Sequence, residues 1–282
     1  YKTNQIMDKK IIIAIDAMGG ENAPAKNIEG VSIYLNKNNK KKDVFFNLYG
    51  DEELIKKELK NYNISSDFFN IIPSSTVVSD EETPLTAIKN SKDSSMWNSI
   101  NSQIISDSNI TLSAGNTGVL FVVSRMLLKT IETVSKPALA GLWPNEKNMN
   151  VVLDLGANVE CDDKNLIDFS EMGSALYKAL FPEDTPKVAL LNIGSEEIKG
   201  TEILKKAYTK LKEISKYGDF EFNGFIEGNK ITQGKSNVII TDGFTGNVAL
   251  KTAEGTAKFI TDSLKKSLTS TLLAKISILF SF

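Results

Sequence analysis

Ile11-Ile12-Ile13-Ala14-Ile15 offers no polar residue to either face of a strand, and it stops at Asp16, followed by Ala17-Met18-Gly19-Gly20. A strand of this kind has to be covered on both sides, the condition of a parallel strand inside an α/β sheet. β-rich runs recur along the chain, and strands are expected over 10–16, 44–49, 69–72, 109–113, 150–154, 187–192, 221–225 and 237–242. Helix-period segments lie between them, over 24–35, 52–59, 84–100, 117–131, 165–180 and 199–215, with Pro24 and Pro84 suited to a first helical position. No repeat or Pro/Gly/Ser-rich linker interrupts the alternation. The expected fold is three-layer αβα, with a Rossmann-like, mostly parallel sheet. At ~150 residues per domain, 282 residues allow two domains or one large unit. Residues 1–8 are expected to be a disordered or expression-derived N-terminus, and 9–282 a single α/β domain.

Histidine is absent. That removes the usual proton carrier near pH 7, the Ser-His-Asp and Cys-His arrangements and every His-containing zinc site. Arg125 is the only arginine among 33 basic residues, so an anion must be held by lysine, amide side chains or backbone N–H groups. Against 35 acidic residues the formal charge is -2, which argues against nucleic-acid binding driven by net basicity. Cys161 is the sole cysteine, which excludes an intrachain disulfide scaffold and points to a reducing compartment. With no signal-peptide pattern and no run of 18 apolar residues, the chain is expected to be soluble or at most peripheral. No cofactor or metal is called for.

Five strand ends run into small-residue turns. They are Asp16-Ala17-Met18-Gly19-Gly20-Glu21-Asn22-Ala23-Pro24, Ser113-Ala114-Gly115-Asn116-Thr117-Gly118, Asp154-Leu155-Gly156-Ala157-Asn158, Asn192-Ile193-Gly194-Ser195-Glu196-Glu197-Ile198-Lys199-Gly200 and Thr241-Asp242-Gly243-Phe244-Thr245-Gly246-Asn247. The carboxyl ends of parallel strands share one edge, where helix N-termini present free N–H groups to ligands. One such turn needs no explanation beyond the turn chemistry of Gly, Asn and Asp. Five on one edge point to a binding site. Taken singly, Asp16, Asp154 and Asp242 also read as capping carboxylates. Lys199 reads equally as a solvated lysine in a first helical turn, offset by Glu196 and Glu197.

These turns, together with Lys136-Pro137-Ala138-Leu139-Ala140 and the stretches from Leu153 to Cys161, Ala189 to Gly200 and Thr241 to Gly255, resemble the PlsX family of bacterial phosphate acyltransferases. The resemblance runs from about residue 9 to the end. It implies an isocitrate/isopropylmalate dehydrogenase-like fold and the reversible transfer of a long-chain acyl group from acyl-acyl carrier protein to inorganic phosphate. It also implies a cytoplasmic homodimer held peripherally on the inner face of the membrane, handing acyl phosphate to a membrane glycerol-3-phosphate acyltransferase. Glu21-Asn22 stands where many members have Asp-His, and Lys136 where they commonly have Arg, which loses a bidentate fork. Members continue for dozens of residues past the equivalent of Phe282, so the chain is expected to lack the family's C-terminal tail.

A histidine-free site suits this reaction, because phosphate is nucleophilic near neutral pH and a thiolate leaves readily. The protein must supply an anion cradle, donors for the thioester oxyanion and positioning. Lys199, with Asn158 and Asn192, is expected to neutralise phosphate, while Asn116, Thr117 and the N–H groups of residues 115–118 stabilise charge. Lys199, Asn116 and Asn158 are the catalytic candidates. Asp242 and Thr245 are expected to orient substrate, and Asp16, Gly19, Gly20, Gly115, Gly118, Asp154, Gly194, Gly243 and Asn247 to complete the binding surface. Ser94 and Ser95, in a segment similar to a family Lys-x-Ser-Ser-Met stretch, are candidate substrate contacts or simply polar helix residues.

Cys161 is read as structural, since Glu160, Asp162 and Asp163 would raise its pKa. Gly228 to Ser236 mimics a P-loop but has five residues between its glycines and precedes a strand, so ATP binding is rejected. Leu264, Leu268, Leu272, Ile276 and Phe280 recur every four residues, with Leu273, Leu279, Phe282 and Lys265, Lys266 and Lys275 alongside. This amphipathic segment, 264–282, suits membrane contact or a dimer interface. Other readings are a phosphotransacetylase-like enzyme using acyl-coenzyme A, a decarboxylating dehydrogenase on a similar sheet, and a non-catalytic membrane-associated scaffold.

Overall fold

The computed structural model describes residues 10–38, 43–79, 83, 86, 89 and 91–269. The chain divides into two compact units, residues 1–131 and 132–282. In the first, β1 (Ile11–Asp16), β2 (Val44–Gly50), β3 (Phe69–Pro73) and β4 (Ile110–Ser113) form a parallel sheet in the order β3-β2-β1-β4. Helices α1 (Ala25–Lys37) and α2 (Glu52–Asn61) bury Ile28, Leu35, Ile55 and Leu59 against Ile15, Phe46 and Leu48. On the other face, α3 (Ser95–Ile104) and α4 (Thr117–Leu128) build a second core of Met96, Ile100, Val119 and Val123.

The second unit has its own sheet, ordered β5-β6-β9-β7-β8. Strands β6 (Met149–Leu153), β7 (Lys187–Leu191), β8 (Glu221–Ile226) and β9 (Val238–Ile240) run parallel, and β5 (Ala140–Pro144) is an antiparallel edge. Val151, Leu153, Val188, Leu190, Val238 and Ile240 pack on α5 (Asp163–Leu180) and α6 (Glu202–Ile214). Their neighbours Val152, Ala189 and Ile239 pack oppositely, against Ile231 of the 3-10 segment Gly228–Gln233. Both faces are therefore apolar, as the uninterrupted runs require. Helix α7 (Gly243–Leu268) follows β9 and buries only Gly243 and Gly246.

Where the sequence predicts one continuous architecture, the described strands form two sheets, one in each unit. The expected elements otherwise form, with five differences, the first being α7, which the sequence analysis anticipates only from residue 264 on. Strand β5 was not expected; as an antiparallel edge strand it tolerates Gly141 and Pro144. The helix expected over 84–100 is not continuous: Thr86 and Lys89 are helical, Asp93 takes a φ of 67°, and α3 starts afresh behind Ser94. Helix α4 stops at Leu128, where Lys129 takes a φ of 61°, rather than at 131. Helix α6 starts at Glu202 instead of 199, because Gly200 at φ 94° turns the chain and Thr201 caps the helix. Leu264, Lys265, Lys266 and Leu268 lie exposed on α7, whereas residues 270–282 of the amphipathic segment, the N-terminal stretch before Lys10, and Pro84 lie outside the described residues.

Candidate functional site

In the first unit, strand register sets Asp16 beside Ser113 at the carboxyl edge of the sheet. Asp16 is buried, and its Oδ2 accepts a hydrogen bond from the Ser113 hydroxyl at 2.7 Å. Ser113 Oγ in turn accepts from the Gly115 N–H at 3.1 Å. Asn27 of α1 donates to the carbonyls of Ala17 and Gly19, at 2.9 and 3.0 Å, which ties the turn after β1 to the helix behind it. Ser94 caps α3 by accepting from the Trp97 N–H, and Asn116 caps α4 by accepting from the Val119 N–H. Met96 of α3 lies against Gly115, so the two helix starts adjoin. Burial pushes the Asp16 carboxyl above its ordinary value of 3.8, opposed by Ser95, Ser113 and the N–H groups of Met18 and Gly19. Ser95 lies close enough to favour the carboxylate, yet Asp16 Oδ1 and Ser95 Oγ, both buried, have no hydrogen bond formed. The unit thus gathers Asp16, Gly19, Gly20, Ser94, Ser95, Gly115, Asn116, Thr117 and Gly118 at one edge. Two adjoining helix N-termini and a protonatable buried acid can hold an anion or a polarised carbonyl.

The second unit builds its edge around Asp154, which follows β6 and is fully buried. Its Oδ1 accepts from the N–H groups of Leu139, Gly156 and Ala157 at 3.0–3.2 Å. Its Oδ2 accepts from the backbone and side-chain nitrogens of Asn158, both at 2.8 Å. Asn158 also donates its side-chain amide to the Pro137 carbonyl, and its own carbonyl accepts from Gly243 N–H at the start of α7. Asp242 caps α7, accepting from the Thr245 N–H and hydroxyl, both at 2.8 Å. After β7, Asn192 accepts from the Ile193 N–H and donates to the Lys199 carbonyl, closing the loop that carries Gly194 and Lys199. The Lys199 ammonium is half exposed, 2.9 Å from Glu196, whose carboxyl it holds below the usual range. Glu197, expected to share that task, instead accepts from Tyr208 and pairs with Lys212. This edge brings together Asp154, Asn158, Asn192, Gly194, Lys199, Asp242, Gly243, Thr245 and Asn247, the last packed on Gly156. It combines a loop-borne cation with the N-termini of α6 and α7.

Cys161 is half-buried and donates to the Asn158 carbonyl. Its thiol is pushed up first by burial and then by Asp154 and Asp242, not by the adjacent acids that the sequence suggested. Among the described residues no group of three His, Cys, Asp or Glu could hold a metal ion. Sequence reasoning did not single out Asn27, Ser113 or the apolar residues Ile203, Phe244 and Val248 beside the second edge. Asn27 was detectable as an amide on the same helix as the core residues Ile28, Val31 and Leu35. Ser113 was detectable as the strand-end counterpart of Asp16.

Comparison with other proteins adds a family. Residues 11–281 match the family described as Fatty acid synthesis protein. A phosphate acyltransferase of Pelagibacter ubique (strain HTCC1062) is 53% identical over 271 residues, 96% of this chain and 80% of that protein. One from Maricaulis maris is 38% identical over 265 residues, 94% of this chain and 75% of that protein. Among solved structures, the EutD phosphotransacetylase from Staphylococcus aureus superposes with a TM-score of 0.61 at 14% identity, covering 89% of this chain and 83% of its own. A phosphotransacetylase from Streptococcus pyogenes gives 0.62 at 12% identity, with the same coverage. At these identities the likeness is one of fold.

Proposed function

The chain belongs to the PlsX family of fatty acid synthesis proteins, the phosphate acyltransferases of fatty acid and phospholipid synthesis, and from that premise we propose that it transfers a long-chain acyl group from acyl-acyl carrier protein to inorganic phosphate. The observation that supports this reading is Lys199, an accessible ammonium on a loop whose backbone Asn192 holds at both ends, beside the N-termini of α6 and α7. A phosphate oxygen attacks the thioester carbonyl, the C–S bond breaks, and the thiolate leaves and takes up a proton from solvent. Lys199 neutralises the incoming phosphate. Asn158 and Asn192, engaged in hydrogen bonds within their loops, act as positioning residues. In the first unit, taken by itself, Asn116, Thr117 and the first-turn N–H groups of α4 form a donor set of the kind that stabilises a carbonyl oxygen as it gains charge.

The working form in this proposal is a homodimer on the inner face of the membrane, using segment 264–282 and passing acyl phosphate to a membrane acyltransferase. Among the described residues no helix is long and apolar enough to cross a membrane. A second reading, acyl-coenzyme A as the donor, has in its favour the fold shared with phosphotransacetylases. The deciding experiment is release of free thiol from palmitoyl-acyl carrier protein, with and without phosphate, beside palmitoyl- and acetyl-coenzyme A. Phosphate-dependent release from the carrier-protein thioester is expected. Release from coenzyme A alone would transfer the proposal to the second reading, and no release from a folded sample would favour a scaffold.

A further inference from the structure

At the carboxyl edge of the second unit's sheet lies a cavity of about 990 Å³, at the upper end of the ~300–1,000 Å³ usual for small-molecule sites. Leu166, Leu191, Ile203, Leu204, Phe244 and Val248 form much of its wall. Apart from the Glu160 carboxylate, the polar groups that share the wall make hydrogen bonds within the protein. Asn192 bonds Ile193 N–H and the Lys199 carbonyl, Thr201 accepts from Leu204 N–H, and Asp242 accepts twice from Thr245. Lys136 donates to the Glu160 carbonyl and Cys161 to that of Asn158. A wall of this kind offers a polar ligand few open partners. Its apolar members are in the reverse condition: Phe244 is 62%, Val248 52% and Ile203 41% exposed, so covering them removes apolar surface from water.

We propose that this cavity receives the alkyl tail of the acyl substrate and sets chain-length preference, an inference that rests on the acyltransferase reading above. The cavity shares its wall with Asn192, Thr201 and Asp242, next to the loop of Lys199, so a tail seated there leaves the thioester end at the proposed phosphate site. Chain length is then limited by the volume of the cavity, which a larger side chain at Ala249 or Gly228, both in its wall, would reduce.

Cys161 provides the test, because it is the chain's only cysteine and lines the cavity. In the full chain at alkaline pH, the rate of iodoacetamide alkylation of Cys161 is followed by mass spectrometry with palmitate, octanoate or butyrate below their micellar concentrations. Palmitate is expected to slow alkylation at least fivefold, octanoate less and butyrate not at all, with the far-UV spectrum unchanged. Ala249→Phe should remove the palmitate protection and shift turnover toward octanoyl over palmitoyl thioester by tenfold or more. Gly228→Phe should act in the same direction; a Cβ there meets no atom within 4 Å, and the far-UV spectrum checks that the fold is kept. Equal alkylation rates with and without palmitate, in protein that turns over palmitoyl thioester, would overturn the cavity assignment while the acyltransferase reading stood. Protection without phosphate-dependent turnover would remove that reading and overturn the cavity's role in chain-length preference, leaving a fatty-acid site. Alkylation that is slow without ligand and accelerates on dilution would also overturn it, by assigning the cavity to a second copy of the chain.

Discussion

Asp16 and Asp154 end, or directly follow, the strands that lead into the two candidate edges, yet their surroundings set them different tasks. Asp154 meets five donors and acts as the knot of its loop. Each buried donor left without an acceptor costs about 1–3 kcal/mol, so Asp154→Ala should lower unfolding stability in urea by several kcal/mol; a midpoint unchanged from wild type would contradict this role. Asp16 keeps one oxygen unpartnered, and burial raises its pKa above 3.8. Since the folded state binds this proton more tightly than the unfolded state, the contribution to stability is complete below 3.8 and is lost as pH rises through the raised folded value. Asp16→Asn should therefore gain on wild type as pH climbs from 4 toward 7, measured by thermal unfolding. A gap that opened on acidification would refute the assignment. Lys199 forms only an exposed pair with Glu196, which contributes little to stability. Lys199→Gln should leave the melting temperature nearly unchanged and raise KM for phosphate at least tenfold.

Helix α7 enters the fold through glycine. A Cβ on Gly246 would collide with the Asp154 carbonyl, so Gly246→Ala must lift the helix from the end of β6, and overpacking of this kind costs about 1–3 kcal/mol. Gly255 lies on the same helix with open space around its Cα, and there alanine should stabilise by up to about 1 kcal/mol through helix propensity. Calorimetry of the two variants separates packing from propensity: equal shifts would show that α7 is not anchored at its first turn. Strands were legible in the sequence wherever apolar residues ran unbroken, because burial on both faces leaves that signature. Boundaries at Gly200 and Asp93 were not, since a positive φ is a property of tertiary fit as well as residue type. The five turns were readable as strand-end turns from their Gly, Asn and Asp content, but the sequence set all five on one edge, whereas two follow strands of the first unit's sheet and three follow strands of the second's. What the turns do internally was not: no local pattern told that Asn192 would bond its own loop, or that Asp154 would reach back to Leu139.

The described residues carry two sheets, each with its own core, and a long helix whose Phe259, Ile260, Leu264 and Leu268 remain exposed. Burying such side chains is worth roughly 1.5–3 kcal/mol apiece, enough to drive association with a membrane surface or a second copy. Leu264→Glu with Leu268→Glu should abolish co-sedimentation with anionic vesicles while sedimentation velocity still reports a dimer; a monomer would assign this face to the dimer instead. The division into sheets was hidden from the sequence, because an apolar run states that a strand is covered and not which strand pairs with it. Asp154 has a last consequence, in time rather than in energy. Loop amides ordinarily trade their hydrogens with solvent freely, but those of Leu139, Gly156, Ala157 and Asn158 are clasped by a buried carboxylate. Their exchange into deuterated water should be as slow as that of the strand Met149–Leu153 beside them, which makes four loop hydrogens a clock for the opening of the unit as a whole.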